Sequence, residues 1–288
     1  WILDPDRKKL SKSKGNVIVP AEPIEAYGTD AVRYWAASAR LGVDSAYDEQ
    51  QMKVGRRLAI KVLNATRFML SRLGSDLELS PPGSMEPLDR SMLAGLDAVV
   101  EEATAAFDAY DYARALEHAE AFFWRFCDDY LELVKSRAYG DASSPATASA
   151  RYALLVGLEA QLRLFAPILP YATEEAWSWF HDGSIHLERW PGGGMAPEGS
   201  DPALLRAVAE VLAAVRKAKS EAHVSMRSPV HRCIVRGPAS EMALLEKAVG
   251  DLTEAGVIDE LDLLVADTSS ALSIEVLLGE PGARDQES

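Results

Sequence analysis

The chain has 288 residues, 48% of them hydrophobic, which is enough for one large domain or two ordinary ones. Its 30 Lys and Arg against 44 Asp and Glu give a formal net charge of −14, which weighs against a nucleic-acid partner. No apolar run approaches the roughly 20 residues that span a bilayer, and two distant cysteines, Cys127 and Cys233, argue against a disulfide framework or a zinc site. We therefore expect a soluble, cytoplasmic protein that holds no metal with its own side chains.

The charge is unevenly distributed along the chain. Residues 1–72 contain 13 Lys and Arg and 8 Asp and Glu, a net of +5, and the remainder, with 17 and 36, has a net of −19. A local basic face decides phosphate binding, whereas the total charge mainly affects solubility. The opening residues Trp1-Ile2-Leu3-Asp4 read like the middle of a strand and turn, so we expect the chain to be part of a longer protein.

The first quarter of the chain is predicted to be a basic loop followed by helices. Residues 1–20 are rich in Lys, Ser and Gly, and Thr29 is a good N-cap for the helix that follows. Apolar residues recur at helical spacing from Gln50 to Leu73, which predicts a long amphipathic helix. The stretch Ser75–Pro87, rich in proline, is predicted to be a surface connection.

Helical patterns continue through the middle of the chain. The predicted helices are Asp89–Ala109, Tyr112–Ala138, Ala146–Phe165 and Thr173–Phe180. Pro167 and Pro170 are expected to stop the third of these. Thr173, followed by Glu174 and Glu175, is expected to begin the fourth. Together these helices predict an antiparallel bundle.

A break at Pro191-Gly192-Gly193-Gly194 is predicted to separate the bundle from a small α+β module. The module's predicted helices are Pro202–His223 and Ser240–Val249, and its strands are His231–Arg236, Val257–Ile258, Leu261–Ala266 and Leu272–Leu278. A frayed tail is expected from Glu280. The predicted fold is therefore mainly α, with domains at residues 1–48, 49–195 and 196–288.

The basic loop is the most informative segment of the sequence. Lys8, Lys9, Lys12 and Lys14 lie among two serines and a glycine. Lysines at this density repel one another unless an anion lies among them, and Ser and Gly supply hydroxyl and N–H donors. The composition suits a loop that closes over a polyphosphate, where cations stabilise a departing pyrophosphate. A solvated basic turn has the same composition and is the alternative.

Several segments resemble the class I aminoacyl-tRNA synthetases. Lys9-Leu10-Ser11-Lys12-Ser13 is similar to the Lys-Met-Ser-Lys-Ser signature of that family, and Lys14-Gly15-Asn16 matches its wider form. Leu10 in place of Met keeps an apolar anchor. Further similarity lies in Tyr27–Tyr34, Asn64–Phe68, Phe126–Leu133 and Ala166–Trp177, so the resemblance covers roughly residues 1–236.

The resemblance implies specific roles for the loop. Lys9 and Lys12 are the implied catalytic residues and contact the phosphates of ATP, which enters with Mg²⁺, while Ser11 and Ser13 add hydrogen bonds. It also implies that the nucleotide-binding fold, the amino-acid pocket and the editing domain precede Trp1. We therefore expect this chain alone to dock tRNA without activating or editing an amino acid.

Within the family, Ala36–Asp44 and Arg216–Glu221 resemble the valine branch, which implies valine and its tRNA as substrates. The isoleucine enzymes usually end in a Cys-rich zinc module, which two distant cysteines cannot build. Many valine enzymes end in a coiled coil, and this chain departs from that pattern because no heptads follow Gly237. The isoleucine and leucine enzymes therefore stay as alternatives, as does a non-catalytic RNA-binding helical module.

The predicted helix Gln50–Leu73 carries one group of candidate tRNA contacts. Arg57, Lys61, Asn64 and Phe68 fall near one face of it. Basic side chains suit phosphates or base edges, and an aromatic ring suits stacking on a splayed anticodon base. The alternative is that Phe68 belongs to the core and that the charges form a solvated helix face.

A second basic group lies between Arg206 and Arg236, where 7 Lys and Arg accompany 2 Asp and Glu. Its candidate tRNA contacts are Arg216, Lys217 and Lys219. A solvated helix end explains the same composition.

Overall fold

The computed structural model describes residues 1–73, 81–141, 143–266 and 272–279. The predicted tail from Glu280 and the first part of the predicted connection Ser75–Pro87 lie outside the described residues. The chain forms two compact units, one from the described residues within 1–78, 96–123 and 155–194, the other from those within 79–95, 124–154 and 195–288. The three-domain division predicted from the sequence stays a prediction.

Helices dominate the described part of the chain, as the sequence predicted. From the beginning of the chain to the middle, the elements are β1 (Ile2–Leu3), α1 (Ala21–Tyr27), α2 (Thr29–Ala37), β2 (Ser45–Ala46), α3 (Glu49–Leu73), α4 (Pro87–Asp108), α5 (Tyr112–Arg125), α6 (Leu131–Leu133), α7 (Lys135–Ala138), α8 (Pro145–Phe165) and α9 (Pro170–Ser178). The remaining elements are α10 (Ala203–Glu221), β3 (Val230–Gly237), α11 (Ala239–Leu245), α12 (Val249–Gly256), β4 (Ile258–Val265) and β5 (Ser273–Leu278). None of the helices in the described part is long and apolar enough to cross a bilayer.

The long helix α3 forms because its apolar residues lie on one stripe. Met52, Leu58 and Met69 are completely buried, and their burial against other helices stabilises a segment that propensity alone would leave marginal. Asp48 caps the N-terminus, where its Oδ1 accepts hydrogen bonds from the backbone N–H groups of Gln50 and Gln51. The helix therefore presents one face to the core and the other to solvent.

The second unit contains a buried ionic network. Arg137 on α7 donates to both carboxylate oxygens of Asp89 at 2.8 and 2.9 Å, and to Asp251 at 2.6 and 3.0 Å. Tyr130 and Ser149 also donate to Asp89, which is completely buried. Burial alone would lower the pKa of Arg137, but these carboxylates raise it well above its ordinary value. The network joins α4, α7, α8 and α12, and each of its charges is paired.

The small α+β module is built on a three-stranded sheet in the order β4-β3-β5. The central strand β3 pairs parallel with β4 and antiparallel with β5. On one face, Val230, Cys233 and Val235 are completely buried. On the other, Arg232 pairs with Asp262 at 2.6 Å and Arg236 with Glu275 at 3.2 Å. The prediction of a mainly helical chain with a small α+β end is confirmed.

Two predicted helix boundaries were wrong. The predicted helix Tyr112–Ala138 is not continuous. A π-helical turn at Phe126–Tyr130 interrupts it, and the short helix α6 that follows ends at Leu133. The helix expected to begin at Thr173 begins at Pro170, because a proline at the first helical position lacks only an N–H that would have no partner there. Pro170 therefore begins a helix as well as following one.

The module also differs in detail from its prediction. The two short strands expected at Val257–Ile258 and Leu261–Ala266 form the single strand β4, because pairing with β3 continues through the residues between them. The helix expected at Ser240–Val249 is α11, which a 3₁₀ turn at Glu246–Ala248 separates from the unpredicted α12.

Candidate functional site

The basic loop is closed by a carboxylate and an amide. Asp4 accepts hydrogen bonds from the backbone N–H of Lys8 at 2.7 Å and from Asn16 Nδ2 at 2.8 Å. Asn16 also donates to the carbonyl of Lys9 and accepts from the N–H of Ser11. The hydrogen bond from Asn16, together with that from Lys8, lowers the pKa of Asp4. The two ends of the loop are thus fixed to each other, although the sequence analysis assigned no role to this pair.

The lysines between these ends face solvent. Lys12–Lys14 form a 3₁₀ turn that ends at Gly15, whose φ of 69° favours glycine. The hydroxyls of Ser11 and Ser13 are 2.8 Å apart inside the loop.

The lysines differ in whether a carboxylate neutralises them. Lys8 pairs with Asp6 at 3.2 Å, and Lys9 Nζ lies 5.6 Å from the centroid of the Trp1 ring. In the described part of the chain, neither Lys12 nor Lys14 forms an ion pair. Exposed ammonium groups and hydroxyls on a loop with fixed ends are suited to bind an anion with several negative charges.

Helix α2 connects this region to the helices that follow. Asp30 accepts hydrogen bonds from the N–H groups of Tyr171 and Ala172 and so caps the N-terminus of α9. Arg33 donates to the carbonyls of Pro167 and Ile168. Burial raises the pKa of Asp30 despite the two N–H donors. Two segments that resemble the family separately, Tyr27–Tyr34 and Ala166–Trp177, are therefore in direct contact.

The first group of candidate tRNA contacts lies along the solvent side of α3. Arg57 and Asn64 are exposed, and Lys61 and Phe68 are half-buried beside them. Phe68 is thus neither a completely buried core residue nor a free ring. Helix α3 contains six Lys and Arg and one acidic residue, Glu49. The structure therefore brings the four candidates onto one basic helix face.

Other residues of this face were not singled out from the sequence. Lys53 lies 6.0 Å from the ring centroid of Tyr27, and Arg56 donates to the carbonyl of Ala26. The guanidinium of Arg67 lies 5.1 Å from the ring centroid of Trp179. The helical spacing of Arg67 after Asn64 was available in the sequence, but its aromatic partner, more than a hundred residues away, was not.

The second group of candidates is less suited to bind RNA. Arg216 pairs with Asp129 at 3.1 Å and donates to the carbonyl of Asp128. Lys217 is 75% exposed and 3.9 Å from Glu221.

The prediction that Lys219 contacts tRNA disagrees with the structure. Lys219 is 1% exposed, and its ammonium group donates to the carbonyls of Met226 and Gly256. Burial lowers its pKa. A buried ammonium with two carbonyl partners cannot reach an RNA phosphate, so Lys219 is a structural residue that holds the end of α12 and the turn before β3.

Among the described residues, no group of three His, Cys, Asp or Glu side chains is arranged to hold a metal ion.

Comparison with protein families matches two parts of the chain. Residues 1–48 match the tRNA synthetases class I (I, L, M and V), and residues 89–234 match the anticodon-binding domain of tRNA ligase. The second match covers about half of the chain. Helix α3 lies between the two matched segments.

Curated relatives are similar over almost the whole chain. A valine–tRNA ligase of Thermobifida fusca is 57% identical over 281 residues, which are 96% of this chain and 31% of that relative. The enzyme of Salinispora tropica is 52% identical over 97% of this chain and 34% of that relative. The enzyme of Leifsonia xyli is also 52% identical, over 93% of this chain and 32% of that relative. The chain thus spans about a third of the length of these relatives.

A solved structure shares the fold. It is the LeuRS of Agrobacterium radiobacter K84 in a ternary complex with tRNA and LeuAMS, with a TM-score of 0.53 and 23% identity over 67% of this chain and 24% of that one. At this identity the likeness shows the fold alone. The family matches and the curated relatives carry the assignment: the chain belongs to the class I tRNA ligases and contains their anticodon-binding domain.

Proposed function

We propose that this chain is the signature-loop and anticodon-binding part of a valine–tRNA ligase, an enzyme that attaches valine to tRNA at the expense of ATP. The observation that carries the proposal is 57% identity to a valine–tRNA ligase over 96% of the chain. Eight curated relatives at 47–57% identity are all valine–tRNA ligases. This supports valine over the isoleucine and leucine alternatives.

The loop between Asp4 and Asn16 is proposed to bind the phosphates of ATP. Lys9 and Lys12 would hold the polyphosphate, which arrives with Mg²⁺, and Ser11 and Ser13 would donate hydrogen bonds. Negative charge increases on the pyrophosphate as it leaves, so fixed cations stabilise the transition state more than the ground state. The contacts from Asp4 and Asn16 support this role because they fix the backbone that carries these side chains.

The exposed face of α3 is proposed to bind the anticodon region of tRNA. Arg57 and Lys61 supply positive charge, Asn64 can hydrogen bond a base edge, and Phe68 offers a ring for stacking. Arg216 and Lys217 are weaker candidates, because carboxylates already lie near both. A tRNA partner also implies that the protein works in the cytoplasm, where tRNA is charged for translation.

Two measurements test this proposal. The complete protein that contains this chain is expected to attach valine to tRNA, and preferential charging with isoleucine or leucine would refute the valine assignment. The 288-residue chain alone is expected to bind a tRNA-Val transcript but to show no valine-dependent pyrophosphate exchange. If the chain bound tRNA no more tightly than a double-stranded DNA of equal charge, the anticodon-binding assignment would be wrong.

A further inference from the structure

Arg67 and Trp179 form a cation–aromatic pair beside the α3 face, and neither residue is among the proposed anticodon contacts. The exposed guanidinium of Arg67 lies over the indole ring of Trp179, 5.1 Å from its centroid. The indole is held in turn, because its Nε1 donates to Glu175 Oε1 at 3.0 Å. The pair therefore joins the C-terminal half of α3 to the end of α9, with a guanidinium over the face of a half-buried indole.

The Arg67–Trp179 pair lies next to the proposed anticodon contacts. Arg67 follows Asn64 by three residues and directly precedes Phe68. Residues three and four apart are neighbours on a helix surface, so Asn64 is adjacent to both Arg67 and Phe68. Successive residues on a helix are rotated by about 100° around its axis, so the side chains of Arg67 and Phe68 point in different directions, one to each side of Asn64. The two flat groups can therefore serve two different bases.

The local charge favours a base over a phosphate at this place. The Glu175 carboxylate accepts a hydrogen bond from the indole, so it adds negative charge beside the ring and disfavours a phosphate there. A planar guanidinium that lies over an aromatic ring keeps its outer face available for a second planar group. The ligand that fits two such planar groups, with a cation and a carboxylate beside them, in an RNA-binding protein is an unpaired nucleobase.

We propose that Arg67 and Trp179 form a second stacking platform, separate from Phe68, for one unpaired base of the bound tRNA. The inference rests on the proposed tRNA binding and extends that surface from α3 to the end of α9. It gives Trp179 a role in binding RNA in addition to its contact with α3.

The test uses the 288-residue chain and tRNA-Val transcripts that carry 2-aminopurine at one anticodon-loop position at a time. The fluorescence of this base is quenched when it stacks. We expect Trp179→Leu to remove the quenching at one position, and Phe68→Leu to remove it at another. Trp179→Phe keeps a ring and is expected to restore most of the quenching.

Affinities add a second readout. Trp179→Leu and Arg67→Met are each expected to weaken tRNA binding at least about fivefold, the lower end for loss of a base–aromatic stack. Their double variant is expected to lose less than the product of the two effects, because both disrupt one stack. Tyr110→Leu changes an aromatic that is 67% exposed and lies outside this face, and it is the matched control.

The outcomes separate this inference from the proposed function. If the unaltered chain does not bind tRNA, both fail together. If it binds tRNA but Trp179→Leu leaves quenching at every position, or removes it at the same position as Phe68→Leu, only the second platform is refuted. A Trp179→Leu variant that unfolds at lower temperature with unchanged quenching would show that the pair only braces the helices.

Discussion

Single residues determine how the basic loop presents its charges. Asp4 and Asn16 make four hydrogen bonds in the loop: one joins the two side chains, and the others hold the backbone of Lys8, Lys9 and Ser11. Lys12, in the turn within this loop, is exposed. An ammonium group that is held by a fixed backbone loses less entropy when it binds an anion. Substitutions of these exposed lysines are therefore expected to change anion binding more than folding.

Lys12→Ala in the complete protein is expected to lower kcat for valine-dependent pyrophosphate exchange roughly 100-fold, the scale for one electrostatic contact to a transition state. The KM for valine is expected to change little, because the proposed role of Lys12 is to contact the phosphates of ATP and not the amino acid. Lys14→Ala is the matched control and is expected to have a much smaller effect. Equal exchange rates for Lys12→Ala and the unaltered protein would contradict the assigned role.

Cys233 makes stability depend on pH in the alkaline range. Burial raises the pKa of its thiol from 9.0 to about 11. Above pH 9 the unfolded chain loses this proton first, so the free energy of unfolding falls as pH rises towards 11. Two pKa units correspond to a contribution of about 2–3 kcal/mol, which is lost across this window.

Cys233→Ala removes the titrating thiol and is expected to flatten this part of the profile. The measurement is urea unfolding at pH 8, 9, 10 and 11, in which the slope against pH is compared between the two proteins. The absolute stability of the variant is expected to be lower because of the small cavity, so only the slopes decide. Parallel profiles would show that other groups cause the alkaline loss.

At the scale of elements, the contact between α2 and α3 depends on one glycine. A Cβ at Gly55 would lie 2.5 Å from Cβ of Tyr34, and the nearby ring atoms are almost as close. Tyr34 cannot move easily, since it is buried and its hydroxyl donates to Glu120 at 2.7 Å. The two helices approach this closely because residue 55 has no side chain.

Gly55→Ala is therefore expected to destabilise the protein by about 1–2 kcal/mol, because overpacking outweighs the gain in helix propensity. Gly250→Ala on α12, where an added Cβ meets nothing within 4 Å, is the control and is expected to stabilise by up to about 1 kcal/mol. Urea midpoints of the two variants provide the measurement. A stabilising Gly55→Ala would show that α2 adjusts without cost.

Local patterns predicted most helices but not their interruptions. The periodicity from Gln50 to Leu73 located α3 to within one residue at its start. The π-helical turn at Phe126–Tyr130 escaped prediction because distant partners lie beside it: Asp129 pairs with Arg216 and Tyr130 with Asp89. Sequence pattern cannot reveal such partners.

The same limit applies to the candidate site. The lysine loop was recognisable because its residues are contiguous, and α3 because its spacing is helical. Lys219 was assigned to RNA from its charge alone, and its burial depends on the carbonyls of Met226 and Gly256. Trp179 was missed because only the fold brings it to Arg67.

Considered as a whole, the molecule combines a net charge of −14 with a basic surface on α3. The total charge disfavours contact with RNA at long range, but screening reduces this repulsion beyond about 10 Å at 0.1 M salt. Close contacts between phosphates and α3 are not screened to the same extent. We therefore expect the location of a charge, and not the total charge, to set tRNA affinity.

The salt dependence of tRNA binding tests this expectation. Each phosphate contact contributes about 0.7–0.9 to the slope of log K against log salt concentration. Replacing both Arg57 and Lys61 by Gln is expected to reduce the slope by about 1.4–1.8 and to weaken binding most at low salt. Replacing Arg189 and Lys247 by Gln makes the same change in total charge at exposed positions that are not part of α3, and its slope is expected to stay as in the unaltered chain. Equal reductions in both double variants would mean that total charge governs binding and that α3 is not the RNA-binding face.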